Sequence, residues 1–324
     1  MESNQSKDKR MQKKISVLVI VVSILVVIGQ VAESWAGYFL DLPASLRMYF
    51  DPLQYFIGLM FICFIFIVTA IDKYETTPNP LLNTIKRYFV VLFLNDFFML
   101  LLKIIQKSNV VTLKNGFTGI GKFYLFLSSA RYITDLTMTS VAIFILISGL
   151  ALYKTIGEEC EIPQKLCNIM LFLVVFKWVV SLPVNLTGYI TSQAWYTWSL
   201  ALSQSAQIII VALLYWVVKE NHQKYRTKFF YYFTWYYGIT FFLTGLTFTY
   251  SMGSYGLLQR FPAGEVQVLG GFGQFVVFAS YMASIILNYI IYLAISGYSE
   301  VIDVHCDTES SSPDSNQVPA TEEP

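Results

Sequence analysis

Charge, histidine and cysteine are all scarce in this sequence, and each scarcity removes a class of function. Asp, Glu, Lys and Arg make up only 13% of the 324 residues while hydrophobic ones reach 55%, too little charge to solvate an ordinary soluble domain. A net charge of +1, with the basic residues scattered through short connections, offers no surface for nucleic acid. Only His222 and His305 are present, both outside the apolar segments, which argues against membrane desaturases and hydroxylases with histidine-bound metals. The four cysteines, Cys63, Cys160, Cys167 and Cys306, are too few and too scattered for a disulfide scaffold, and none has metal-ligand spacing around it. There is no Gly-x-Ser-x-Gly elbow, no His-Glu-x-x-His helix and no Gly-rich phosphate loop followed by Lys. No enzymatic activity, metal or cofactor is expected.

What the sequence does contain is a series of long apolar segments, and these predict an all-α, polytopic membrane helix bundle. A basic start (Lys7, Lys9, Arg10, Lys13, Lys14) precedes an apolar run from Ile15 to Ala32, which reads as a retained first helix or as a signal sequence with Ser34-Trp35-Ala36 as a cleavage site. Seven further segments, II to VIII, follow at about 53–71, 88–105, 124–153, 167–182, 196–218, 229–250 and 270–295. Segment IV is long enough to tilt or protrude, since thirty helical residues span roughly 45 Å against a hydrocarbon core of about 30 Å. Three regions result: 1–52, with the basic cytoplasmic N-terminus, first helix or signal anchor, and an outer loop; 53–297, a seven-helix transmembrane bundle; and 298–324, an acidic cytoplasmic tail. That tail carries acidic residues, serines and no Lys or Arg, a composition that predicts disorder. Its serines are candidates for phosphorylation and Cys306 for lipidation.

Orientation follows from where the basic residues fall, because Lys and Arg stay on the cytoplasmic side. With the N-terminus inside, fourteen lie in inner regions, and only Arg47, Lys107, Lys114, Lys122 and Arg260 lie in outer loops. The C-terminus is then cytoplasmic. Asn185-Leu186-Thr187 is an N-glycosylation pattern in a loop placed outside, so Asn185 is a candidate glycan acceptor.

Polar residues inside the segments mark candidate sites, since charge at membrane depth normally faces a bundle interior or wet cavity. Ser128, Arg131, Asp135 and Thr139 share one face of segment IV. Arg131 and Asp135 lie roughly 10 to 16 Å below the outer surface, and Ser199, Ser203 and Gln207 of segment VI reach the same depth. Segments VII and VIII repeat the device with Thr240, Thr244, Thr247 and with Ser280, Ser284, Asn288, where helix packing alone is a sufficient reason for such residues. Asp96 of segment III and Lys177 of segment V complete a set in which two acids and two bases, with Arg131 and Asp135, compensate one another. The aromatic run from Phe229 to Tyr237 reads as an interface belt at the cytoplasmic end of segment VII.

FLNDFF in segment III, with Asp96, and LNYIIYL in segment VIII, with Asn288 and Tyr292, look like two motifs of the seven-helix G-protein-coupled receptors. Over about 53–297 the chain resembles that family, most of all the nematode-type serpentine chemoreceptors. The match to the family's Asn-Pro-x-x-Tyr signature has Tyr289 in place of proline, and segment IV ends in LALYKT where the family carries Asp-Arg-Tyr. The resemblance implies that Asp96, Asn288 and Tyr292 belong to an inner core that rearranges, and that the pocket around Asp135 binds ligand.

The expectation is therefore a plasma-membrane receptor. A small molecule from outside contacts Arg131, Asp135, Ser203 and Gln207, and a cytosolic partner, a G protein by the resemblance, engages the inner loops; membrane lipid surrounds the bundle. Two other classes fit the same residues: a transporter or channel whose path is lined by Asp96, Asp135, Arg131 and Lys177, and a structural or trafficking membrane protein with no ligand.

Overall fold

A computed structural model describes residues 2–39, 44–115, 131–185, 193–257 and 263–300, and within these the side chains of 10–29, 57–98, 100–101, 143–181, 198–251, 273 and 275–300. Among the described residues there are eight α-helices and no strand: α1 (Glu2–Phe39), α2 (Ala44–Thr76), α3 (Pro80–Asn115), α4 (Arg131–Glu159), α5 (Gln164–Asn185), α6 (Gln193–Tyr225), α7 (Lys228–Leu257) and α8 (Ala263–Ser296). They correspond to the eight apolar segments, each extended beyond its apolar run except at the start of α4, where 124–130 lie outside the described residues. Short polar turns set the boundaries. Asn79 caps α3 by accepting the Leu81 N–H on its side-chain oxygen at 2.6 Å, with Pro80 at the first helical position, where its missing N–H has no cost. Helix α4 ends with Glu161 in the left-handed region at φ 51°. The Ile162 N–H returns to the Gly157 carbonyl and the Glu161 N–H to that of Glu158, the bond pair of a Schellman end.

Each helix packs on the next in the chain, and α8 returns to both α1 and α2, so the eight close into a ring. The first segment thus packs into the bundle, against α2 and α8. Val19 and Ser23 of α1 are almost fully buried, and Val19 and Val26 join the main apolar cluster with residues of α2, α3 and α8. Gly58 of α2 sits where Val26 fills the place a Cβ would take, the small-residue contact by which membrane helices approach closely.

The outward faces carry large apolar side chains, with Phe144, Phe172, Trp198 and Phe242 each about two thirds exposed (65%, 66%, 67%, 65%). Helices apolar on both faces are what hydrocarbon surroundings require. On their described residues five spans are long and apolar enough to cross a membrane: Arg10–Gly29, Ile57–Thr76, Gln164–Ser181, Trp198–Tyr225 and Phe275–Ser296. The protein is a multi-pass membrane protein, with five such spans among the described residues.

Candidate functional site

The site grows from the polar stripe of α6. Ser199, Ser203 and Gln207 are four residues apart, so they stack on one face. The Ser199 hydroxyl donates to the Val180 carbonyl of α5 and pins the two helices together. One turn further, Ser203 and Gln207 line a cavity of about 310 Å³ with Lys177 of α5, Gln204, and Thr240, Thr244 and Thr247 of α7. Inside it the Lys177 ammonium donates to Gln207 Oε1 at 2.5 Å. Among the described residues no carboxylate lies within ion-pair distance of Lys177. A cation at this depth held only by a neutral amide is costly, so an anionic or strongly accepting group entering the cavity would gain a partner. Gln204 donates from Nε2 to the Ser251 hydroxyl at 3.1 Å, while its Oε1 is buried without a hydrogen-bond partner among the described residues.

A second cavity, of about 180 Å³, lies toward the other end of α6 and α7 and is walled by α3, α4, α6, α7 and α8. Its lining is apolar and aromatic, including Leu152, Leu214, Phe233 and four tyrosines, Tyr88, Tyr153, Tyr236 and Tyr237. Gln207 and Thr240 line both cavities. The aromatic run of α7 is therefore divided by the helical period. Phe229, Phe233, Tyr236 and Tyr237 face this cavity, whereas Tyr231 and Trp235 stay exposed.

Of the residues singled out in the sequence, Ser203 and Gln207 come together in one cavity. Arg131 and Asp135 open α4, but their side chains lie outside the described residues, as does that of Asn185, the last residue of α5. Asp96 is half-buried and accepts from its neighbour, Asn95 Nδ2, at 3.1 Å. Lys177 and Asp96 thus have separate partners, on helices α5 and α3 that do not adjoin, and do not neutralise one another. Tyr292 is buried in the main cluster and its hydroxyl donates to the Gln12 carbonyl at 3.1 Å. Asn288, one turn earlier, is half-buried. The hydroxyls of Thr240, Thr244, Ser280 and Ser284 donate to carbonyls of their own helices, which settles their hydrogens locally and leaves their oxygens as acceptors. Lys177 belongs to the polar cavity, and its sequence signal was its position as the one cation in segment V.

The far ends of α6 and α7 are tied to neighbouring turns. Glu161 accepts from Lys224 Nζ at 2.5 Å and from the Tyr225 hydroxyl at 3.0 Å. These bonds hold the Glu161 carboxyl below its ordinary range. Asn221, buried, donates to the Cys160 carbonyl, and Lys228 pairs with Glu300 at 2.6 Å. Among the described residues no three His, Cys, Asp or Glu side chains gather where a metal would bind. Comparison with family models, with curated proteins and with solved structures finds no match.

Proposed function

We propose that this protein is a multi-pass receptor of the plasma membrane that senses an extracellular small molecule and signals to a cytosolic partner, a G protein being the candidate. The observation that carries the reading is Lys177 bonded to Gln207 inside a polar cavity with no carboxylate at hand among the described residues. An incoming acceptor replaces Gln207 as the partner of Lys177 and changes how α5 sits on α6. Helices α6 and α7 carry both the cavity and the far-end ties of Lys224 to Glu161 and of Lys228 to Glu300. A ligand shifts such an arrangement only through different affinities for two helix packings, and α6 and α7 are the elements that differ between them. Arg131 and Asp135 remain part of the proposed ligand set, Asp96, Asn288 and Tyr292 of the inner switch, and Asn185 of the glycosylated outer surface, with the C-terminus cytoplasmic.

A second reading is supported by one observation. Gln207 and Thr240 line both the polar cavity and the inner one, which sets the two spaces side by side along α6 and α7 as a transport path would require. The test is a G-protein dissociation reporter in cells expressing the full chain, challenged with a panel of small carboxylates, beside uptake of the same compounds into proteoliposomes. A reporter response lost in Lys177→Met supports the receptor. Lys177-dependent uptake without any reporter response replaces it with a transporter.

A further inference from the structure

The two cavities share two residues, and that sharing limits what the ligand is. On α6 the order Ser203, Gln207, Leu214, Val218 runs from the polar cavity into the aromatic one, and on α7 the order Thr247, Thr244, Thr240, Tyr237, Phe233 does the same. Polar groups are concentrated at one end and aromatic surface at the other. We infer that the ligand is an aromatic 2-hydroxy or 2-amino acid, its carboxylate on Lys177, its 2-substituent on Gln204 and its ring between Gln207 and Thr240 in the inner cavity. The inference rests on the reading of the Lys177 cavity as a ligand site.

Each part of that molecule answers a separate feature. The carboxylate supplies the negative acceptor that Lys177 lacks among the described residues, and it adds the attraction of a full opposite charge where the Gln207 amide offers only a dipole. The 2-substituent supplies a donor to Gln204 Oε1, which is buried and without a hydrogen-bond partner among the described residues, a state that costs roughly 1 to 3 kcal/mol until it is met; the amide, closed off as it stands, turns toward the cavity to accept that donor. The ring fits the volume: an apolar cavity of about 150 Å³ holds benzene, and this one is about 180 Å³. Its wall already uses tilted and edge-on aromatic contacts, with Tyr236 to Tyr237 at 5.1 Å and Phe233 to Tyr237 at 5.8 Å. A ligand ring extends that arrangement, which favours aryl over alkyl bodies.

The test uses the full chain in phosphatidylcholine nanodiscs and three probes: 3-phenyllactate, 3-phenylpropionate and lactate. Equilibrium dialysis is expected to rank 3-phenyllactate first, with the other two at least tenfold weaker, and Lys177→Met is expected to remove the affinity for all three. Gly149→Leu fills the aromatic cavity from α4, where a Cβ finds only Tyr88 at 3.8 Å, and brings 3-phenyllactate down to the level of lactate. Should that variant not fold, Ile291→Phe fills the same space from α8. Lactate binding as tightly as 3-phenyllactate, still dependent on Lys177, overturns the ring assignment and leaves the receptor site standing. Equal binding of 3-phenylpropionate and 3-phenyllactate overturns the Gln204 contact. Absence of any Lys177-dependent binding overturns both this inference and the reading beneath it.

Discussion

The Tyr292 hydroxyl near the end of α8 donates to the Gln12 carbonyl at the start of α1, 3.1 Å away and 280 positions apart in the chain. The first and last helices are thereby joined at one end of the ring. Retention of α1 in the mature chain is the prediction this contact carries. Peptide mass mapping of the chain isolated from membranes is predicted to recover residues 15–32; a mature chain beginning near Ala36 contradicts this. Tyr292→Phe removes the bond and lowers stability by about 1 kcal/mol, the usual contribution of one internal hydrogen bond, measured by thermal unfolding in detergent.

The contact of α1 with α2 at Gly58 and Val26 gives a second prediction. Gly58→Ala places a methyl group against Val26 Cγ2 and overpacks the interface, at a cost of about 1 to 3 kcal/mol. Val26→Ala removes the obstructing methyl groups, so the double variant is expected to recover most of the loss. Thermal unfolding of the two single variants and the double gives the coupling. Additive losses would show that the two residues do not meet.

These two contacts also mark how far the sequence was legible. The long apolar runs announced the helices, because membrane spans are specified locally, by length and hydropathy. Whether the first run stays or is cleaved was open in the sequence, since its length suits both; packing on α2 and α8 is what favours retention. Ser203 and Gln207 were legible from their spacing on one helix. The Lys177 to Gln207 bond was not, because its partners lie thirty positions apart on different helices. The aromatic cavity was hidden as well: Phe229 to Tyr237 reads as a belt until the helical period sends Phe233 and Tyr237 inward and Trp235 outward. Mutual compensation of Asp96, Asp135, Arg131 and Lys177 was expected from charge alone, and charge carries no information about which helices adjoin.

A pH prediction attaches to the exposed tie between Glu161 and Lys224. The Glu161 carboxyl is depressed below its ordinary 4.5 by Lys224 and Tyr225, so its contribution is present above that value and is lost as pH falls through the lower folded value. The difference in unfolding temperature between the native chain and Glu161→Gln is therefore expected to be small and flat above about 4.5. It should close as pH falls below that value, and a difference that grows in acid rejects the tie.

Orientation has its own check at Asn185. If the end of α5 faces outward, Asn185→Gln abolishes a glycosidase-sensitive mobility shift seen in the chain expressed in a secretory-competent cell. A native chain with no such shift, and an Asn185 region shielded from external protease, places that end inside.

The most direct measurement of the receptor reading is the unfolding temperature of the full chain in nanodiscs as 3-phenyllactate is raised, compared with Lys177→Met. A ligand bound only by the folded state stabilises by about 2.7 kcal/mol at a hundredfold excess over its dissociation constant. The account predicts a concentration-dependent rise in the native chain and none in Lys177→Met, itself folded without ligand. An equal rise in both would remove Lys177 from the site, and no rise in either would remove the site.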